Sequence, residues 1–275
     1  HGKLMGKWRL AGELRPQGFE WALHLPNSFE SALISYLAGI PQRVGYNTDA
    51  RGILLTRRVP VTREIKKRHQ VDYYIHLVKK LGLDSPGDTP LLTVSARRRE
   101  EGQALLESLG IRRESVLVGF SPGAKYGSAK EWDLERYAGV ARRINKETGA
   151  GILIFGNDSE KGAASLIARE AGGAAADLTG KTTLGQAMAI LSLCRLLITN
   201  DSGLMHVAAA LGVPLVAIFG STDPARTGPR GKNSRIIYKA VDCAPCLKKV
   251  CPQDRKCMRL ITVDEVFEAA KGIWN

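Results

Sequence analysis

Four short apolar runs constrain the fold of this chain more than any other feature: Val116–Phe120, Gly151–Phe155, Leu196–Thr199 and Leu215–Phe219. They do not alternate polar with apolar residues, so each reads as a strand covered on both faces. A polar, glycine-bearing turn follows every one of them. Helical segments fit between them, and Ala175–Leu178 and Arg235–Tyr238 add two further strands. Strand and helix in regular alternation predict an α/β fold with a doubly wound, mostly parallel sheet. In such sheets ligands bind beyond the carboxyl ends of the strands, where helix amino ends offer N–H groups to anions.

The first part of the chain is less regular. Residues 3–16 predict the end of a helix, Phe19–Leu25 a strand and Phe29–Ala38 a helix capped by Asn27 and Ser28. Val44–Tyr46 reads as a short strand, and His69–Leu81 and Ser95–Leu109 as helices. The boundary is placed near 90–112, giving a first domain over 1–110 and a second over 111–275. Thr183 with Gln186, and Thr262 with Glu265, have the spacing of capping boxes.

The net charge of +13 is divided almost evenly, +6 over residues 1–110 (17 cations, 11 acids) and +7 over 111–275 (23 cations, 16 acids). A balance of this kind favours anionic partners such as phosphorylated small molecules, a phospholipid surface or nucleic acid. The cations are spread over both halves and no nucleic-acid-binding motif occurs, which argues against nucleic acid. The apolar runs are too short and too interrupted to span a bilayer.

Polar residues gather at four strand ends. The turn Ser121–Trp132 carries Lys125 and Lys130, point charges suited to phosphate. Neither a Walker loop nor a G-x-G-x-x-G follows a strand, which argues against those two nucleotide-binding modes. Glu160, in the turn after Phe155, is suited either to ribose hydroxyls or to helix capping. The turn Thr199–His206 offers Asp201 as an acceptor, Ser202 and Gly203 at a helix start, and His206 one turn further on. Arg226 follows the last of the four strands, beside several hydroxyls.

The stretch TNDSGLMHVAAALGVPLVAIFGSTDP closely resembles the donor-site signature of the bacterial ADP-heptose:lipopolysaccharide heptosyltransferases, glycosyltransferase family 9. SPGAKYGSAKEW, LPNSFESALISYLAGIPQRVGY and HQVDYY resemble the heptosyltransferase II group within it. The resemblance implies a GT-B architecture of two Rossmann-like domains. It implies inverting transfer of heptose from ADP-L-glycero-β-D-manno-heptose to the first heptose of the lipopolysaccharide inner core. The acceptor would then be lipid A–Kdo–heptose, at the cytoplasmic face of the inner membrane. By the same resemblance Lys130 binds donor phosphate, Glu160 the adenosine ribose, and Thr182 lies beside adenine. Asp201, Ser202, Gly203, Leu204 and His206 grip the diphosphate and sugar. Asn27, Ser28, Arg43, Tyr46, Arg68 and His69 fall where relatives face the acceptor. Relatives begin with a strand and a Gly-Asp loop whose Asp is the catalytic base, and residues 1–20 hold no match to it. The base is therefore expected upstream of His1, the amino-terminal domain reads as incomplete, and no catalytic residue is assigned.

Three other readings remain: a GT-B transferase for another nucleotide sugar, an inactive ADP-sugar binder, and a nucleic-acid-binding α/β protein. No metal is expected for catalysis, because protein cations hold the donor phosphates. Cys243, Cys246, Cys251 and Cys257 crowd together with a spacing that fits no standard finger. They are open to three readings: a structural zinc or iron–sulfur site, reduced thiols or a labile disulfide, or no assigned role. Cys194 is expected in the core. The run 57–68 has six cations and one acid, suited to an anionic acceptor or membrane, or to a solvated loop.

Overall fold

The computed structural model describes residues 4–124, 127–172 and 175–274. Two compact units divide the chain, His1–Asp88 and Thr89–Asn275. The boundary thus lies upstream of residue 110, and the charged helix expected to close the first domain belongs to the second unit. Its packing is the reason. Arg99 Nη2 donates to the carbonyl of Ser192 at 3.0 Å, and Leu92 N donates to Ala210 O at 2.8 Å.

The first unit contains α1 (Leu4–Leu14), β1 (Trp21–His24), α2 (Phe29–Leu37), β2 (Gln42–Tyr46), β3 (Arg57–Val59), α3 (Arg63–Lys67) and α4 (Gln70–Lys80). The three strands form a parallel sheet in the order β1-β2-β3. Ser28 caps α2, accepting from Ser31 N at 3.3 Å. The basic run is a strand and a helix rather than a loop. Val59 and Ile65 are buried in the core with Tyr46, Tyr73 and Leu77, which pins the run at two points and leaves its cations outside. Thr62 caps α3 by accepting from Ile65 N. Arg51 is fully buried and bonds the carbonyls of Tyr46 and Pro26.

In the second unit come α5 (Ala96–Ser108), β4 (Leu117–Ser121), α6 (Leu134–Thr148), β5 (Gly151–Ile154), α7 (Lys161–Ala171), β6 (Ala175–Asp177) and α8 (Leu184–Leu191). They are followed by β7 (Leu196–Asn200), α9 (Gly203–Ala210), β8 (Leu215–Phe219), α10 (Pro224–Thr227), β9 (Ser234–Tyr238), α11 (Lys256–Arg259) and α12 (Val263–Trp274). All strand pairs are parallel, in the order β6-β5-β4-β7-β8-β9. Side chains alternate between two cores. Val118, Phe120, Ile154, Ile198 and Ile218 pack with α6, α7 and α12. Leu117, Leu153, Leu197, Leu215 and Phe219 pack with α5, α8 and α9. Two covered faces explain why the strands read as continuous apolar runs. Both expected capping boxes form, Thr183 with Gln186 and Thr262 with Glu265. Cys194 is buried, and burial pushes its thiol up to about 12.

The strand order reverses at β4. From its two sides β5 and β7 leave in opposite directions, which opens a crevice at the carboxyl ends of β4 and β7.

One buried histidine gives the first unit a pH dependence. His24 Nε2 lies 2.9 Å from Ser35 Oγ, and burial, then Arg51 and Arg43, hold its pKa below the ordinary 6.5. The unfolded chain therefore binds the proton more readily. His24's contribution is complete above pH 6.5 and is lost as pH falls toward its folded value. Protection factors of the β1 and α2 amides, with exchange corrected for the intrinsic rate at each pH, should fall between pH 7.5 and 5.5 by more in the parent than in His24→Gln. An equal fall in both proteins would exclude His24 as the cause.

Candidate functional site

A cleft of about 1030 Å³ opens at the crevice, within the second unit. Four strand-end turns line it, and eight of the nine residues expected at the donor site meet there: Lys130, Glu160, Thr182, Asp201, Ser202, Gly203, Leu204 and His206. Arg226 is not among the lining residues, although Thr227 of the same helix is. The Arg226 Nε is buried without a hydrogen-bond partner among the described residues. Lys125 lies outside the described residues.

At one end of the cleft, Lys130 Nζ donates to Asp201 Oδ2 at 2.6 Å, and Thr222 Oγ1 donates to the same oxygen at 2.7 Å. The Lys130 and Asp201 side chains are only 11% and 6% exposed. Asp201 therefore fixes the ammonium in place rather than standing open to a hydroxyl. Ser202 precedes α9 as its N-cap residue, but its side chain makes no capping bond. Its Oγ lies 3.1 Å from Thr199 Oγ1 instead. The first turn of α9 thus presents its N–H groups to the cleft with no side-chain cap, a setting suited to phosphate.

The chemistry changes at the other end. Phe155, Leu184, Ala187 and Val207 supply apolar wall beside Thr182. Glu160 is a capping residue that also lines the cleft. Its Oε2 accepts from Asn157 N at 2.7 Å in a capping box, and its carboxylate still lines the cleft. Gly123 makes room for it, since a Cβ there would lie 1.6 Å from Glu160 Oε1. The Asn157 box caps the short turn Asp158–Glu160, which leads into α7.

Asn200 and Thr222 were not singled out from sequence. Asn200 is fully buried, donates to Pro122 O, and accepts from Tyr137 Oη at 2.9 Å. One side-chain amide thus ties the ends of β4 and β7. Both residues lie inside the TNDSG and GSTDP motifs, so their positions were legible. What sequence lacked was the direction each side chain faces.

The acceptor expectations fare differently. Tyr46 is fully buried, its hydroxyl donates to Tyr73 O at 2.6 Å, and burial pushes its pKa up to about 12. It is a packing residue and not an acceptor contact. Arg43 directs its guanidinium at the carbonyls of Leu54 and Ile40. Ser28 caps α2 and His69 caps α4, so each has a local structural role. Asn27 Oδ1 accepts from Tyr73 Oη at 3.1 Å. Arg68 is exposed at the end of α3.

The expected metal-site reading of the cysteine cluster gains no support. Among the described residues no three His, Cys, Asp or Glu side chains converge as ligands, and Cys243, Cys246, Cys251 and Cys257 are free thiols. Cys243 is exposed whereas Cys257 is buried, and the other three thiols lie near enough to help burial hold the Cys257 thiol above its ordinary pKa.

The profile described as glycosyltransferase family 9 (heptosyltransferase) matches residues 7–257. Lipopolysaccharide heptosyltransferase 2 of Salmonella typhimurium is 38% identical over 83% of this chain and 68% of its own length. The Escherichia coli K12 protein of the same name is 37% identical over 86% and 70%. Among solved structures, E. coli ADP-heptose lps heptosyltransferase II superposes with a TM-score of 0.79 at 29% identity, over 98% of this chain and 81% of that one. A family 9 glycosyl transferase of Veillonella parvula gives 0.84 at 25% identity, over 100% and 80%. The two α/β units accordingly have the GT-B fold class.

The buried pair allows a direct test of the site's energetics. Lys130→Met leaves the Asp201 carboxylate buried without its cation and should destabilise the protein by about 3–5 kcal/mol. Adding Asp201→Asn should restore most of that loss, because a neutral amide needs no counter-ion. Urea unfolding of the two variants and the parent reads both effects, and matching midpoints in the single variant and parent would refute them.

Proposed function

From the premise that this chain belongs to glycosyltransferase family 9, the heptosyltransferases, we propose that it transfers heptose from ADP-heptose to the first heptose of the lipopolysaccharide inner core, with inversion. The observation that carries this reading is the two-ended cleft: a fixed ammonium and an uncapped helix start at one end, apolar wall and a carboxylate at the other. An ADP-sugar has the matching polarity. Adenine takes the apolar wall beside Thr182, and the Glu160 carboxylate accepts from ribose hydroxyls. The diphosphate lies between Lys130 and the first turn of α9, with His206 on the next turn. The names of the relatives, lipopolysaccharide heptosyltransferase 2, support the sugar and the acceptor.

Charge builds on the ADP leaving group as the glycosidic bond breaks. Lys130 and the α9 amino end are already in place to meet it, so little reorganisation is needed in the transition state. Ser202 and Gly203 let the backbone approach the anion closely. These groups donate to phosphate oxygens, so the reading places no metal ion there. Heptose transfer to lipid A–Kdo–heptose, followed by mass spectrometry, should therefore survive EDTA, and donor titrations should favour ADP-heptose over UDP- and GDP-sugars. A requirement for Mg²⁺ would overturn the first expectation, and tighter binding of a UDP- or GDP-sugar the second.

No helix among the described residues is long and apolar enough to cross a membrane. For a lipid-borne acceptor we assign contact with the anionic cytoplasmic face of the inner membrane to the α3 region. Arg63, Lys66, Lys67 and Arg68 are all exposed there, while Ile65 anchors the helix inward. Each cation near an anionic surface contributes about 1 kcal/mol. Replacing all four by Gln should weaken sedimentation with phosphatidylglycerol vesicles at least tenfold and leave ADP-heptose affinity unchanged. Unchanged sedimentation would remove this surface from the proposal.

A further inference from the structure

The cysteine-bearing segment has no part in the reaction as described, yet it bonds the turns beside the donor cleft at several points. Leu247 N donates to Ser221 O at 2.7 Å, and Ser221 is the residue before Thr222. Two residues on, Lys249 O accepts from Ala129 N at 3.0 Å, and Ala129 is the residue before Lys130. Further along, Arg255 donates to Glu131 O and to Asp133 Oδ1, both at 3.0 Å. Trp132 Nε1 donates to Ile261 O at 3.1 Å. One stretch thus holds both residues that reach Asp201, through the backbone next to each.

The fit is close enough that small displacements must be transmitted. Gly127 has φ +150°, and a Cβ there would lie 2.2 Å from Lys249 O. Cys257 Sγ would lie 3.3 Å from a Cβ on Gly220, at the start of the Thr222 turn. Ser221 is 1% exposed and its Oγ has no hydrogen-bond partner among the described residues. Its side chain does not lock the turn, so the Leu247 bond to its carbonyl carries that task. Cys246 adjoins Leu247 and Cys251 lies two residues beyond Lys249, both partly accessible, with Cys243 exposed upstream.

We propose that the segment 243–251 is a positioning strap for the diphosphate site, holding Lys130 and Thr222 in register on Asp201, so that bulk added to its thiols loosens nucleoside-diphosphate binding. The Leu247 N–H and Lys249 carbonyl are the positioning groups. Alkylation suffices for the effect: the thiol loses its proton to water, and the thiolate displaces iodide from iodoacetamide, breaking the C–I bond and forming a C–S bond. The inference rests on the donor-site reading above for its ligand, while the strap itself is read without any ligand.

Iodoacetamide labelling of the full chain, quantified by mass spectrometry at Cys243, Cys246 and Cys251, tests it with two readouts. Hydrogen exchange in the 121–132 and 218–224 peptides should rise at least fivefold on labelling. The Kd for ADP should rise about tenfold, and kcat at saturating ADP-heptose should fall with it, because Lys130 also meets the charge on the leaving group. The variant Cys243→Ser/Cys246→Ser/Cys251→Ser should keep the parent's exchange and affinity and lose the response to reagent. Complete labelling with unchanged exchange in both peptides overturns the strap, whatever ADP does. Failure of the unlabelled protein to bind ADP overturns the donor-site reading alone, because exchange still reports on the strap. A response in the triple variant equal to the parent's also overturns it.

Discussion

The contact between Lys130 and Asp201 is the constraint around which the second unit is arranged. Two opposite charges sit 2.6 Å apart with little solvent access. Removing such a pair from water costs several kcal/mol per ion, and their attraction repays that only with good geometry and further hydrogen bonds. The further bond comes from Thr222, and Asp201 N is itself held by Ile218 O at 3.2 Å. The gain is positional. A lysine on a turn is a long, mobile side chain, whereas this one is fixed before ligand arrives, at the reversal of strand order where backbone N–H groups also converge. A phosphate entering there meets a cation whose conformational entropy has already been lost on folding.

Most of the second unit could be read from its sequence, for a definite reason. Strands covered on both faces leave unbroken apolar runs, and helix starts that need capping leave Thr–Gln and Thr–Glu pairs at fixed spacing. Both signals are local, and both were right. The first unit shows the opposite case. Its third strand is Arg57–Val59, where only Val59 is buried, and three residues with two arginines carry no strand periodicity. The short helix after it depends on Ile65 alone for its anchor. The domain boundary was displaced for a similar reason: α5 is charged and looks solvent-facing, and only its packing on α8 and its bond to Ser192 just beyond show where it belongs.

Within the site, motif membership located residues better than it assigned their tasks. The stretch from Thr199 to Gly203 contains five consecutive residues, four of them polar, and they face different ways. Asn200 turns into the protein and joins two strand ends. Asp201 turns toward Lys130, and Ser202 toward Thr199. In a strand, side chains point alternately to opposite faces, so neighbours in a motif are bound to differ once the backbone leaves β7. Tyr46 is the same effect in the first unit. It belongs to a matching motif, yet its ring stacks among Tyr73 and His76 and its hydroxyl is bonded inward.

A cleft built at strand ends has a structural weakness, because the sheet fixes where each turn begins and not where it ends. Lys130 lies nine residues beyond the last residue of β4, and Thr222 lies three beyond the last of β8. Over such lengths an unsupported turn would not hold an ammonium to within hydrogen-bonding distance of a buried carboxylate. Something outside the sheet must define both turns, and it must touch both for their separation to be set. Among the described residues the segment from Leu247 to Ile261 does this, bonding Ala129, Glu131, Trp132 and Asp133 on one side and Ser221 on the other. The sheet therefore supplies the place for an anion, while a later, non-sheet segment supplies the accuracy.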